Sequence, residues 1–231
     1  ISGTIQAALR GADAEIGYDG TFTYGDTLDA DGNVQLNIAS VKTWLQLLDP
    51  AAIKEKLYAT LSDNQRLQAT IQTKLRGNAA SFAFANATFS DEAFSASGQI
   101  AMADDVNFTL DAAFDKLTFT SAASQEFSAD QLNNVLHKLI PDNAEGSLRI
   151  AIKSLLLDGI NAYDVALDAT MLDGEMIVNQ ARMDMPGGTR FLLFGIVKDD
   201  INRMMHLDGN IEVVGDDIVS FISALNLDEH K

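Results

Sequence analysis

Apolar and polar residues alternate with a period of two through much of this chain. In Gly146-Ser147-Leu148-Arg149-Ile150-Ala151-Ile152-Lys153, residues Leu148, Ile150 and Ile152 share one face, while Ser147, Arg149 and Lys153 take the other. The same alternation runs through Val34-Gln35-Leu36-Asn37-Ile38, Leu117-Thr118-Phe119 and Ile211-Glu212-Val213. It recurs with small residues interleaved in Ser81-Phe82-Ala83-Phe84-Ala85 and in Asn107-Phe108-Thr109-Leu110. A strand with one apolar and one polar face belongs to a sheet covered on one side only, which predicts antiparallel pairing. Between the alternating runs stand Asp19-Gly20, Asp31-Gly32, Asp158-Gly159, Asp173-Gly174, Pro186-Gly187-Gly188 and Asp208-Gly209. Asp-Gly tolerates the positive φ angles of hairpin turns, so each is expected to turn the chain, and consecutive hairpins make a meander.

A helical period interrupts this pattern four times. Ser40 can cap a helix carrying Val41, Trp44, Leu45 and Leu48, and Asp49-Pro50 opens a segment with Ile53, Leu57 and Leu61 at i, i+4 and i+8. Ser128 with Gln131 forms a capping box ahead of Leu132, Val135, Leu136 and Leu139. Asp216 or Asp217 precedes Ile218, Phe221, Ile222 and Leu225. These short amphipathic helices are expected to cap or plug the sheet.

The chain also repeats itself. DGNVQLNIASVKTWLQLLD from Asp31 aligns without a gap on DGNIEVVGDDIVSFISALN from Asp208, and a looser copy starts at Phe114-Asp115-Lys116-Leu117-Thr118-Phe119. Each copy is an alternating strand followed by one amphipathic helix, which predicts approximate units over 1–61, 65–140 and 145–228 of one continuous region.

Composition narrows the function. Sixteen Lys and Arg against 33 Asp and Glu leave a formal net charge of −17, and the few cations are scattered, so no nucleic-acid partner is expected. With 47% apolar residues, three Pro and sixteen Gly, the 231 residues suffice for a packed domain. No apolar run approaches the roughly 18 residues of a membrane-spanning helix. The absence of cysteine removes disulfides, thiolate metal ligands and a thiol nucleophile. The chain opens at Ile1, with neither an initiator Met nor a leader, which suggests a processed product or a piece of something longer.

Catalytic signatures are missing. His137, His206 and His230 make no pair with metal-ligand spacing, and there is no nucleophile elbow, P-loop or dinucleotide turn. Asp29-Ala30-Asp31-Gly32-Asn33 offers oxygens at alternate positions, but its Gly is fourth rather than sixth, and Ser40 stands where an EF-hand needs Glu. A hairpin turn accounts for it better. Asp199-Asp200 and Asp216-Asp217 suit a connector and a helix start rather than an acid–base pair. Asn86-Ala87-Thr88 and Asn107-Phe108-Thr109 match the N-glycan acceptor triplet, a common chance pattern. The expectation is a non-enzymatic protein without cofactor or metal.

An apolar sheet face must be covered, and two architectures satisfy the periodicity. In a closed sandwich the face is ordinary core. In a long, strongly curved meander, a β-groove or half-barrel, it lines a trough fit for an acyl chain. Transfer of a CH₂ from water is worth about 0.8 kcal/mol, so a sixteen-carbon chain needs on the order of 10 kcal/mol of apolar lining.

From Gly146 to Leu225 the order of elements resembles the AsmA family of Gram-negative envelope proteins. The resemblance rests on the Leu148-Ile150-Ile152 strand, Asp158-Gly159 and Asp173-Gly174, then Met185-Pro186-Gly187-Gly188-Thr189 leading into Phe191-Leu192-Leu193-Phe194-Gly195. It ends in Leu207-Asp208-Gly209-Asn210-Ile211-Glu212-Val213 and the segment bearing Phe221, Ile222 and Leu225. Residues 19–49 and 65–139 look like related units. The resemblance implies a mainly β groove module, similar to bridge-like lipid transfer proteins, in the periplasm and tied to the inner membrane by an anchor outside this chain. It implies phospholipid or another acyl-chain ligand, a role in lipid transport or outer-membrane homeostasis, and envelope proteins as further partners.

On this reading the groove is lined by Leu36, Ile38, Phe82, Phe84, Phe108, Leu110, Phe119, Leu148, Ile150, Ile152, Phe191, Leu193, Ile211 and Val213. Trp44, Leu45, Leu48, Leu136, Leu139, Phe221, Ile222 and Leu225 would cap the module. The alternative is a β-scaffold that assists outer-membrane protein assembly through a strand edge or its acidic face.

Overall fold

The computed structural model describes residues 1–11, 13–43, 65–102, 106–119, 144–157, 159–199 and 205–215. The described residues are almost entirely strand: β1 Ser2–Arg10, β2 Ala14–Tyr24, β3 Leu28–Ile38, β4 Leu67–Arg76, β5 Ala79–Phe89, β6 Glu92–Met102 and β7 Val106–Phe119. They continue with β8 Ala144–Leu157, β9 Ile160–Leu172, β10 Glu175–Met185, β11 Thr189–Asp199 and β12 Met205–Val214. All twelve belong to one open sheet whose strand order is the order along the chain, with β1 and β12 at its ends. This is the expected meander. Pairing is antiparallel from β1 through β6 and from β8 through β12.

Tight turns close the hairpins. Ser90 and Asp91 (φ 52° and 69°) join β5 to β6, and Asp173 and Gly174 (φ 53° and 75°) join β9 to β10. Two consecutive positive φ values match the twist of the flanking strands. Gly159 (φ 85°) stands between β8 and β9, and Pro186–Gly188 between β10 and β11.

Three other expected turns are not turns. Asp19-Gly20 lies inside β2, Asp31-Gly32 inside β3 and Asp208-Gly209 inside β12. Gly20 pairs with Gly32, and Gly195 with Gly209, so these glycines cross the sheet in facing pairs. The supposed calcium or turn sequence therefore runs straight through β3. Among the described residues no cluster of His, Asp or Glu could hold a metal ion.

By contact density the chain divides into two compact units, Ile1–Ala113 and Phe114–Lys231, and the division falls within β7. In the first unit, the register aligns Ile16 with Leu36, Tyr18 with Val34, Val34 with Ile71 and Ile71 with Phe84. One face is thereby apolar, and the other carries Glu15, Asp31, Asn33, Gln35, Gln72 and Lys74. In the second unit, Leu148, Ala169 and Val178 align across β8 to β10, as do Ile150, Leu167 and Ala181. Across β11 and β12, Phe191 meets Val213 and Leu193 meets Ile211. Bulges at residues 83–87 and 178–181 add a residue on the polar side and restore the apolar phase afterwards.

Burial follows this face: Ile38, Ala69, Ala87, Ala169, Met171, Met176, Val178 and Met185 are buried along it. Among the described residues, only Ile38 and Thr189 rank as large, fully buried side chains. A two-layer sandwich would bury far more than that. Of the four expected helices, only residues 41–43 are described, and there Thr43 N–H donates to Ser40 Oγ at 3.2 Å, the cap anticipated at Ser40. Trp44, Leu45, Leu48 and the stripes at 53–61, 132–139 and 218–225 lie outside the described residues. No described helix is long and apolar enough to cross a membrane.

Candidate functional site

The apolar face is assembled by backbone pairing. In the first unit, Ile38 sits between Ala14 and Leu67, and Leu36 between Ile16 and Ala69. Phe82 stands between Thr73 and Gly98, and Phe84 beside Ile71. The Phe82 and Phe84 rings meet edge to face at 6.0 Å, and Phe84 lies 5.4 Å from Phe94, separations at which aromatic pairs attract. Phe108 and Leu110 are the half-buried members of an alternating strand whose Thr109 and Asp111 share a polar depression with Gln99 and Ser97. They therefore lie on the apolar side. Phe119 ends β7, and its side chain lies outside the described residues.

In the second unit, Leu148, Ile150 and Ile152 pair with Ala169, Leu167 and Val165. Phe191 and Leu193 bridge Met183 and Ala181 on one side to Val213 and Ile211 on the other. Each unit thus gathers its expected lining residues, Phe119 apart, on a single face.

Twelve further residues not anticipated from the sequence stand beside them. Ile16, Tyr18, Phe22, Ile71, Leu75 and Phe94 join the face in the first unit, and Val165, Leu167, Met171, Met176, Val178 and Met183 in the second. Small residues at intervening positions, as in Glu15-Ile16-Gly17-Tyr18-Asp19, thin the alternation that would have revealed them. Met171, Met176, Met183 and Met185 give the apolar side of the second unit a run of flexible, polarisable thioethers, of which Met171, Met176 and Met185 are buried.

Rings lie over glycines on this face. A Cβ on Gly3 would stand 2.9 Å from the Phe22 ring, one on Gly32 2.6 Å from the Tyr18 ring, and one on Gly98 2.8 Å from the Phe82 ring. Glycine leaves the space into which a neighbouring strand's ring folds, so the apolar surface stays continuous where it lacks side chains.

Charges occupy the other face. Arg76 reaches Asp31 at 2.5 Å, Lys153 reaches Asp115 at 2.6 Å, and Arg190 forks onto Asp184 at 2.6 and 3.0 Å. Asn179 donates to Asp168 at 2.9 Å with Arg149 beyond it at 3.3 Å, and together they hold the Asp168 carboxyl below its usual range. Two shallow depressions also lie on this polar side, one over Ser81, Ala83 and Ser97 with Gln72 and Gln99, the other over Ala8 and Gly17 with Asn33 and Gln35. They lie where small side chains interrupt rows of longer polar ones. His206 is exposed on β12, Asp199 ends β11, and His137, His230, Asp200, Asp216 and Asp217 lie outside the described residues.

No protein-family model, curated protein or solved structure matches this chain.

Proposed function

We propose that this chain is a non-enzymatic lipid-binding module whose open apolar sheet face takes an acyl chain, as the resemblance to AsmA-like envelope proteins implies. The observation that carries this reading is the alignment of apolar residues from β1 to β6, and again from β8 to β12, on one face of a sheet that does not close. A hydrocarbon chain needs length and continuity more than specific contacts, and backbone pairing supplies both. On the same reading the module works in the periplasm of a Gram-negative envelope, attached to the inner membrane by an anchor outside this chain, and serves phospholipid transport or outer-membrane homeostasis.

Native mass spectrometry of gently purified protein tests the reading. Retained phospholipid is expected, lost in Phe108→Asp or Ile150→Asp and kept in Gln72→Asp on the polar face. A wild-type protein free of lipid, or one whose lipid survives both apolar-face substitutions, overturns it. Among the described residues β1 and β12 are paired on one side only, which favours a second reading, a scaffold that offers a strand edge to outer-membrane protein clients. That reading expects ligand-free protein that captures an unfolded β-barrel client.

A further inference from the structure

The two end strands, β1 and β12, carry well-exposed apolar residues. On β1, Ile5 is 42% and Leu9 68% exposed; on β12, Leu207 is 40%, Ile211 66% and Val213 51% exposed. Each strand is nine or ten residues long, free of proline and, among the described residues, paired on one side only. An edge of this kind is a template for another strand.

The internal repeat specifies which strand. Asp31-Gly32-Asn33-Val34 in β3 corresponds to Asp208-Gly209-Asn210-Ile211 in β12, and both segments face a preceding strand through a glycine pair, Gly20 with Gly32 and Gly195 with Gly209. On its other side β3 is covered by β4, with Asp31 opposite Lys74, Asn33 opposite Gln72 and Val34 opposite Ile71. Among the described residues no strand takes against β12 the place that β4 fills against β3. A strand resembling β4 exists elsewhere in the chain. Thr70-Ile71-Gln72 and Leu75-Arg76-Gly77 recur as Thr4-Ile5-Gln6 and Leu9-Arg10-Gly11. That strand is β1, the opposite edge.

We propose that the β12 edge of one copy accepts the β1 edge of a second copy, antiparallel and in the register that β4 adopts on β3. Transferred to these positions, the register sets Leu9 against Leu207, Ala7 against Gly209, Ile5 against Ile211 and Gly3 against Val213. Apolar residues then meet apolar residues on one face, and Gln6 meets Asn210 on the other. Arg76 reaches diagonally to Asp31 across the β3–β4 pair. Arg10, its counterpart, is held at present by Glu15 within its own hairpin at 2.8 Å, with its side chain 77% exposed. In the assembly it reaches Asp208 of the next copy. Joining two different edges is heterologous, so copies add head to tail and each junction leaves one edge of each kind open. The inference does not depend on what the apolar face binds.

Disulfide trapping of the full chain tests it, because the protein has no cysteine of its own. Residues directly opposite on paired strands lie within reach of a disulfide. Gln6→Cys with Asn210→Cys in one chain should oxidise to a ladder at multiples of 24.9 kDa. The two single variants mixed should give a dimer and nothing larger. Gln6→Cys with Glu212→Cys, two residues out of register, should trap poorly. Sedimentation should show association that rises with concentration, falls about threefold to tenfold in Arg10→Glu or Asp208→Arg, and recovers when both are combined. Single-cysteine variants that link to themselves, equal trapping in the slipped register, or a monomer at every concentration would each overturn the proposal.

Discussion

Arg190 and Asp184 show how little freedom a side chain keeps on the polar face. They stand across the β10–β11 pairing, and both guanidinium bonds converge on one carboxyl. The hydrogen bonds from Arg190 hold Asp184 below the ordinary carboxylate range, with the charges of Arg190 and then Arg182 adding to the effect. A carboxyl depressed in the folded state favours folding above its unfolded pKa of about 3.9, and that contribution is lost as pH falls through the folded value. In an NMR titration, Asp184 should therefore titrate below a typical aspartate and move back up in Arg190→Gln. An unmoved titration would show that the pair is not formed in solution. Pro186-Gly187-Gly188 was legible as a turn, but the register across it, which sets Asp184 opposite Arg190, comes from the tertiary structure.

Individual strands were legible where large and polar residues alternated strictly, as in Leu148, Ile150 and Ile152. They were hard to see where Gly or Ala held the apolar positions, as in Gly3 and Ala7 of β1. Asp-Gly was ambiguous for a specific reason: glycine serves a hairpin by adopting positive φ, and serves a strand by letting another backbone come close. Gly174 does the first. Gly195 does the second, since a Cβ there would stand 2.6 Å from the Asp208 carbonyl oxygen and 2.7 Å from the Gly209 Cα. Those are backbone atoms that cannot rotate away. Gly195→Ala should cost about 1–3 kcal/mol in urea unfolding, the usual range for overpacking, whereas Gly25→Ala, with open space around it, should be near neutral. Equal midpoints for the two variants would mean that the β11–β12 pair spreads without penalty.

At the scale of the molecule, the sheet's two chemistries should separate in how it meets a membrane. A net charge of −17 repels an anionic surface over a Debye length, about 10 Å at 0.1 M salt, while an apolar face is indifferent to headgroup charge. Co-sedimentation at low salt should show weaker binding to anionic than to zwitterionic vesicles, a gap that closes near 0.5 M salt. Tighter binding to anionic vesicles would point instead to a local cationic site.

Period-two alternation determined β-strands with one apolar face, because side-chain direction in a strand depends only on position along it. Alternation is the same whether a second layer covers the face or nothing does, so the choice between sandwich and open sheet fell to tertiary structure, as did the facing glycine pairs and the rings laid over them. Those features depend on which strands become neighbours, and that is settled by pairing between residues far apart in the chain.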